Sequence, residues 1–203
     1  PLTSDPPPVS LTKPAEKGPE VDGWVSETGN GGVMGRRIGV LAFVALVVGV
    51  LVAGFVQAGE DSPTYDEPVY VSAGLLALTA HDLDYNAEHP PLPKAVAAIP
   101  VLLTPYTLPP GHADGTNDER TYSAAFLQAQ GEHLAAVTLA SRLVPLLELV
   151  AVAILLAMLG RQLVSLGGGL VAGALWLLSP LTLGLGHLDG VDLPFAVAVC
   201  VYA

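Results

Sequence analysis

Residues 38–58 read IGVLAFVALVVGVLVAGFVQA, an apolar run entered directly from Arg36 and Arg37. Wound as an α-helix at about 1.5 Å per residue, the run extends about 31 Å, which matches a hydrocarbon core of roughly 30 Å. It therefore reads as a membrane span. The apolar core of a signal peptide is about 7–15 residues and lies nearer the start of a chain, so cleavage after this run is the weaker reading. The two arginines place the preceding tail in the cytoplasm and send the helix outward.

The rest of the composition agrees. Hydrophobic residues make up 51% of the chain and charged residues 13%, about half the charge of an ordinary soluble domain; mean hydropathy is +0.54. The eight Lys and Arg form no basic stripe, so nucleic acid is not an expected partner despite a formal net charge of −11. Cys200 is the single cysteine, which excludes an intramolecular disulfide. The chain opens on Pro1 and closes on Ala203 inside an apolar run, and reads as a piece of a longer protein.

Outward from the first span, residues 1–33 are rich in Pro, Gly and acids and cannot bury enough apolar surface to offset chain entropy. They read as a disordered tail. From 59 to 131 the chain is polar: eleven acids lie between Glu60 and Glu132 against two bases, Lys94 and Arg120, as suits an outer loop. Within it, Pro68 to Ala80 reads as a short helix capped by Asp66. Lys94 to Leu108 is apolar but short and broken by Pro100 and Pro105, hence a surface-lying or re-entrant helix. Further spans are expected at 134–159, 170–185 and from 191 onward, with Gly167-Gly168-Gly169 as a tight turn. The expected fold is an all-α, multi-pass transmembrane bundle in the cell membrane, in contact with membrane lipids.

Three polar groups punctuate this pattern. Tyr65-Asp66-Glu67-Pro68 follows the first span. Its acids suit a helix start, yet a carboxylate there can also accept a proton; neighbouring helical residues diverge by about 100°, so Asp66 and Glu67 do not serve one atom. Glu88-His89-Pro90-Pro91-Leu92-Pro93-Lys94 is stiffened by its prolines and holds polar groups at fixed distances, or simply connects two elements. Arg142 and Glu148 fall within the second span, and His187, Asp189 and Asp192 follow the third; ionisable groups at such depth face a partner or a cavity.

In this order these motifs resemble the GT-C glycosyltransferases, in particular the protein O-mannosyltransferase family and its bacterial relatives. The resemblance rests on Asp66-Glu67, on His89-Pro90-Pro91-Leu92-Pro93-Lys94, on Arg142-Leu143-Val144-Pro145, and on Leu188-Asp189-Gly190-Val191-Asp192-Leu193, over about residues 34 to 203. Pro93 stands where the mannosyltransferases usually carry Gly. Lipid A aminoarabinose transferases share the architecture, which leaves the acceptor open between a protein, a glycan and a lipid. The resemblance implies transfer of a sugar, a hexose such as mannose, from a polyprenyl-phosphate donor at the extracytoplasmic face, with inversion. It puts Asp66 and Glu67 at the catalytic centre, with Asp66 as base. Arg142, helped by Lys94 and His89, would face the departing phosphate; Glu67 and Asp192 would orient substrate or hold a divalent metal ion. Two other readings stay open: a transporter with Arg142, Glu148 and Asp192 along its path, and a relative that kept the fold without activity.

Overall fold

The apolar run at 38–58 forms the middle of a 30-residue helix, α1 (Gly31–Glu60), in a computed structural model of the chain. Residues 31–110, 119–188, 190 and 192–202 are described. The chain divides after residue 35. Of the first unit only 31–35 are described, as the opening of α1; residues 1–30, where most of the expected tail falls, lie outside the described set.

Seven helices follow: α2 (Glu67–Thr79), α3 (Pro91–Ala98), α4 (Glu119–Gln130), α5 (Leu134–Leu163), α6 (Leu166–Leu177), α7 (Pro180–Leu185) and α8 (Asp192–Tyr202). No strand occurs among the described residues, as the all-α expectation requires. Two stretches, 32–60 and 119–163, are long and apolar enough to cross a membrane. Helix α1 leaves Val40, Leu41, Val48 and Phe55 exposed. A contiguous apolar face of this kind is rare on a water-soluble monomer.

The expected third span takes another form. Residues 170–185 are divided between α6 and α7 at Ser179, whose backbone is extended (ψ 132°). Pro180 is the cause: proline drives the preceding residue out of helical geometry and then suits the first turn of a new helix. Helix α8 covers eleven residues, about 16 Å of rise. The Lys94–Leu108 segment is helical from Pro91 to Ala98 and continues as a 3-10 turn over Pro100–Leu103.

Three apolar cores lie among the described residues, and two of them join most of the helices. Val50, Leu149, Ala153 and Leu177 join α1, α5 and α6. Val71, Leu75, Ala98, Val101, Phe126 and Val137 join α2, α3 and α4 to the start of α5. Helices α5 and α6 approach along small residues. A Cβ on Gly160 would stand 2.7 Å from the Gly169 Cα, and one on Gly169 would overlap the Ala157 carbonyl. Such contacts let backbones close without a large apolar driving force.

This packing also accounts for a difference from the sequence reading. The Gly167-Gly168-Gly169 triplet is not a turn but the first turn of α6, capped by Ser165, whose Oγ accepts from the Gly168 N–H at 3.1 Å. Gly169→Ala is expected to push α6 off α5 and destabilise the protein by about 1–3 kcal/mol. Gly167→Ala, whose Cβ meets only the Ser165 Oγ at 3.9 Å, serves as control. Thermal unfolding in detergent reads the difference; equal melting would show that the crossing yields freely.

Candidate active site

The start of α2 separates two neighbouring carboxylates. Asp66 occupies the N-cap position, but its backbone is helical (φ −90°, ψ −24°) and its side chain caps nothing. A capping side chain normally works from an extended backbone. The carboxylate is exposed and makes no hydrogen bond within the described residues. The capping expectation for Asp66 is thus not met, and the group is left uncommitted. The helix entrance is held instead by Glu67, whose Oε2 accepts from the Thr64 N–H at 2.7 Å.

Glu67 is buried and paired with Arg142 of α5 in a two-pronged bridge. Arg142 Nε donates to Oε1 and Nη2 to Oε2, both at 2.7 Å. The same guanidinium donates through Nη1 to the carbonyls of Ala58 (2.9 Å) and Asp61 (2.8 Å), and through Nη2 to that of Ser62 (3.0 Å). Arg142 is 0% exposed. A guanidinium has five N–H donors, and here all five have acceptors. Three of those acceptors are carbonyls at or just beyond the C-terminus of α1, where a cation is favoured.

This geometry revises two expected roles. A side chain with every donor committed to protein oxygens has none for a departing phosphate, so Arg142 positions the α1–α2 junction rather than binding substrate. Glu67, with both oxygens bonded to Arg142, is committed to the same junction. Among the described residues no three His, Cys, Asp or Glu side chains converge as metal ligands. No step is derived through a metal.

The uncommitted Asp66 opens on a cavity of about 740 Å³. Its polar lining comes from Thr64, Asp66, Tyr70, His89, Thr182 and Asp192; its apolar lining comes mainly from α6, α7 and the start of α8. The sequence motifs around Asp66, His89 and Asp192 are therefore brought to one space. Asp189 lies outside the described residues. Glu148 does not line the cavity.

Lys94 is also absent from the cavity lining. It is buried at 3% exposure and donates to the Asn86 carbonyl at 2.6 Å and to Asn86 Oδ1 at 3.0 Å. Burial pulls its pKa below the ordinary lysine value, against the opposing pull of Glu119 and Glu88. Like Arg142, it serves the protein rather than a ligand. Its position is fixed by close packing of α3 on α2, where a Cβ on Gly74 would overlap the Lys94 carbonyl.

Several contributors were not singled out from sequence. Asp61, one residue past α1, accepts from buried His187 (Asp61 Oδ2 to Nε2, 2.9 Å) and ties the segment after α7 to the end of α1. Tyr70 meets the His89 ring edge-on, with centroids 5.3 Å apart. Asn86 gathers Lys94, Glu119 and His89 around one amide. A periodicity reading gives no weight to such residues, because an Asp after a helix and an Asn in a turn are ordinary. Compared with protein-family models, curated proteins and solved structures, the chain matches none.

Proposed function

We propose that the chain carries the reaction site of a membrane glycosyltransferase of GT-C kind, which moves a hexose such as mannose from a polyprenyl-phosphate carrier to a hydroxyl acceptor at the outer face. The observation that carries this reading is the cavity that uncommitted Asp66 shares with apolar residues of α6 to α8. A lipid-linked sugar has the same division, with an apolar chain and a polar reacting end. The exposed apolar faces of α1 and α5 suit a bilayer around the site.

In this reading Asp66 takes the proton of the acceptor hydroxyl. The acceptor oxygen then bonds to the anomeric carbon from the side opposite the phosphate. The bond from that carbon to the phosphate oxygen breaks, its electron pair leaves with the lipid phosphate, and the anomeric centre inverts. General-base help of this kind is worth typically 10²–10⁴-fold. His89, Tyr70 and Asp192 line the same space and orient substrate. Arg142 and Glu67 keep the α1–α2 junction, and with it Asp66, in place.

The test is donor dependence. Membranes containing the full protein, supplied with a polyprenyl-phosphate hexose labelled in the sugar, are expected to pass label to a protein, glycan or lipid fraction. Membranes without the protein should not. No protein-dependent transfer from any polyprenyl-phosphate hexose would overturn the proposal. Ion or solute flux through the purified protein would favour the transport reading instead.

A further inference from the structure

Asn86 sits in a left-handed turn at φ 55°, a conformation that asparagine tolerates better than most residues. Its amide has two ends, and the neighbours decide which is which. At one end lies the ammonium of Lys94, 3.0 Å away, a group that only donates. At the other lie both Glu119 carboxylate oxygens, at 3.2 and 3.3 Å, which only accept. The carbonyl oxygen of the amide must therefore face Lys94, and the NH2 must face Glu119. The reverse placement would set donor against donor and acceptor against acceptor at once.

The same NH2 lies 3.4 Å from His89 Nδ1. A donor pointed at Nδ1 requires a lone pair there, so in the neutral ring the proton sits on Nε2. Nε2 in turn lies 3.5 Å from the Tyr70 hydroxyl, and both rings line the cavity. Glu88 Oε1 accepts from the same NH2 at 3.4 Å and lies 3.7 Å from Nδ1, too far to take a proton from the ring.

We infer that His89 presents a neutral Nε2–H donor to the cavity, its tautomer fixed by Asn86, which the buried Lys94 holds in place. Asn86 and Lys94 are then positioning residues, and His89 is a donor to an oxygen of the bound ligand rather than a proton acceptor. Among the described residues around the cavity no Lys or Arg contributes, and Trp176 already donates to the Leu149 carbonyl at 3.0 Å. The imidazole Nε2–H, with the Tyr70 hydroxyl 3.5 Å from it, is thus the side-chain N–H that this lining offers a ligand. The consequence for catalysis rests on the glycosyltransferase reading; the tautomer itself does not.

The test is nitrogen NMR of the full protein, labelled with 15N-histidine and held without substrate at about pH 8, where an ordinary imidazole is neutral. His89 is identified by the signals lost in His89→Gln. The expected spectrum shows a protonated Nε2 and an unprotonated Nδ1. Asn86→Asp replaces the donor facing the ring by an acceptor and is expected to move the proton to Nδ1. Lys94→Met frees the amide to turn and is expected to give a mixture of tautomers, whereas Glu88→Gln should leave the spectrum unchanged. A protonated Nδ1 in the unaltered protein overturns the inference without any variant. So does an unchanged tautomer in a folded Asn86→Asp protein. Absence of sugar transfer would overturn the function and leave this result standing.

Discussion

Glu67→Gln is expected to destabilise the protein by about 3–5 kcal/mol, the usual cost of breaking a buried ion pair from one side. Glutamine keeps the shape of the side chain, but its NH2 would face an Arg142 N–H that now meets an oxygen at 2.7 Å. The guanidinium stays buried with its charge uncompensated. For a chain of this size the loss corresponds to a fall in melting temperature on the order of 10 °C. Arg142→Lys is expected to behave similarly, because an ammonium has three donors where five acceptors wait. Thermal unfolding of the purified protein in detergent measures both. Variants that melt with the unaltered protein would show that the pair does not hold the α1–α2 junction.

The adjacent substitution is expected to do the opposite. Asp66→Asn should leave melting unchanged, since the carboxylate caps nothing and makes no other hydrogen bond among the described residues. Sugar transfer should fall by about 10²–10⁴-fold, the typical contribution of a positioned base. The assay is label transfer from a polyprenyl-phosphate hexose, run on membranes matched for protein content. Full activity in Asp66→Asn would remove this carboxylate from the chemistry. A large drop in melting would assign it to the scaffold. The contrast between residues 66 and 67 is itself a prediction: one sets the rate, the other the stability.

The sequence gives some of these features plainly and conceals others. The long apolar runs of α1 and α5 are legible because their length alone fits a bilayer, with no partner needed to interpret them. The entrance to α2 is legible from Asp66, Glu67 and Pro68. The break between α6 and α7 was available in Ser179-Pro180, but apolar composition outweighed the proline and suggested one continuous span. Arg142 stands out as a charge in an apolar helix. Its partner does not, because Glu67 is 75 residues away and a bound phosphate would have suited the guanidinium equally well. The roles of Lys94 and His89 turn on Asn86, whose neighbours come together only in the folded chain. Conversely, the meeting of Asp66, His89 and Asp192 in one cavity follows the order of motifs along the chain.

The Arg142 clasp also has a meaning for synthesis. Glu67 leaves the ribosome 75 residues before its partner is made, roughly 4–15 s at ordinary elongation rates. During that interval the carboxylate has no counter-ion, and the carbonyls that Arg142 will gather stay open. The first helix and the segment after it therefore acquire their final joint only when the fifth helix is delivered. A nascent chain halted before residue 142 would hold all the pieces of that joint except the one that closes it.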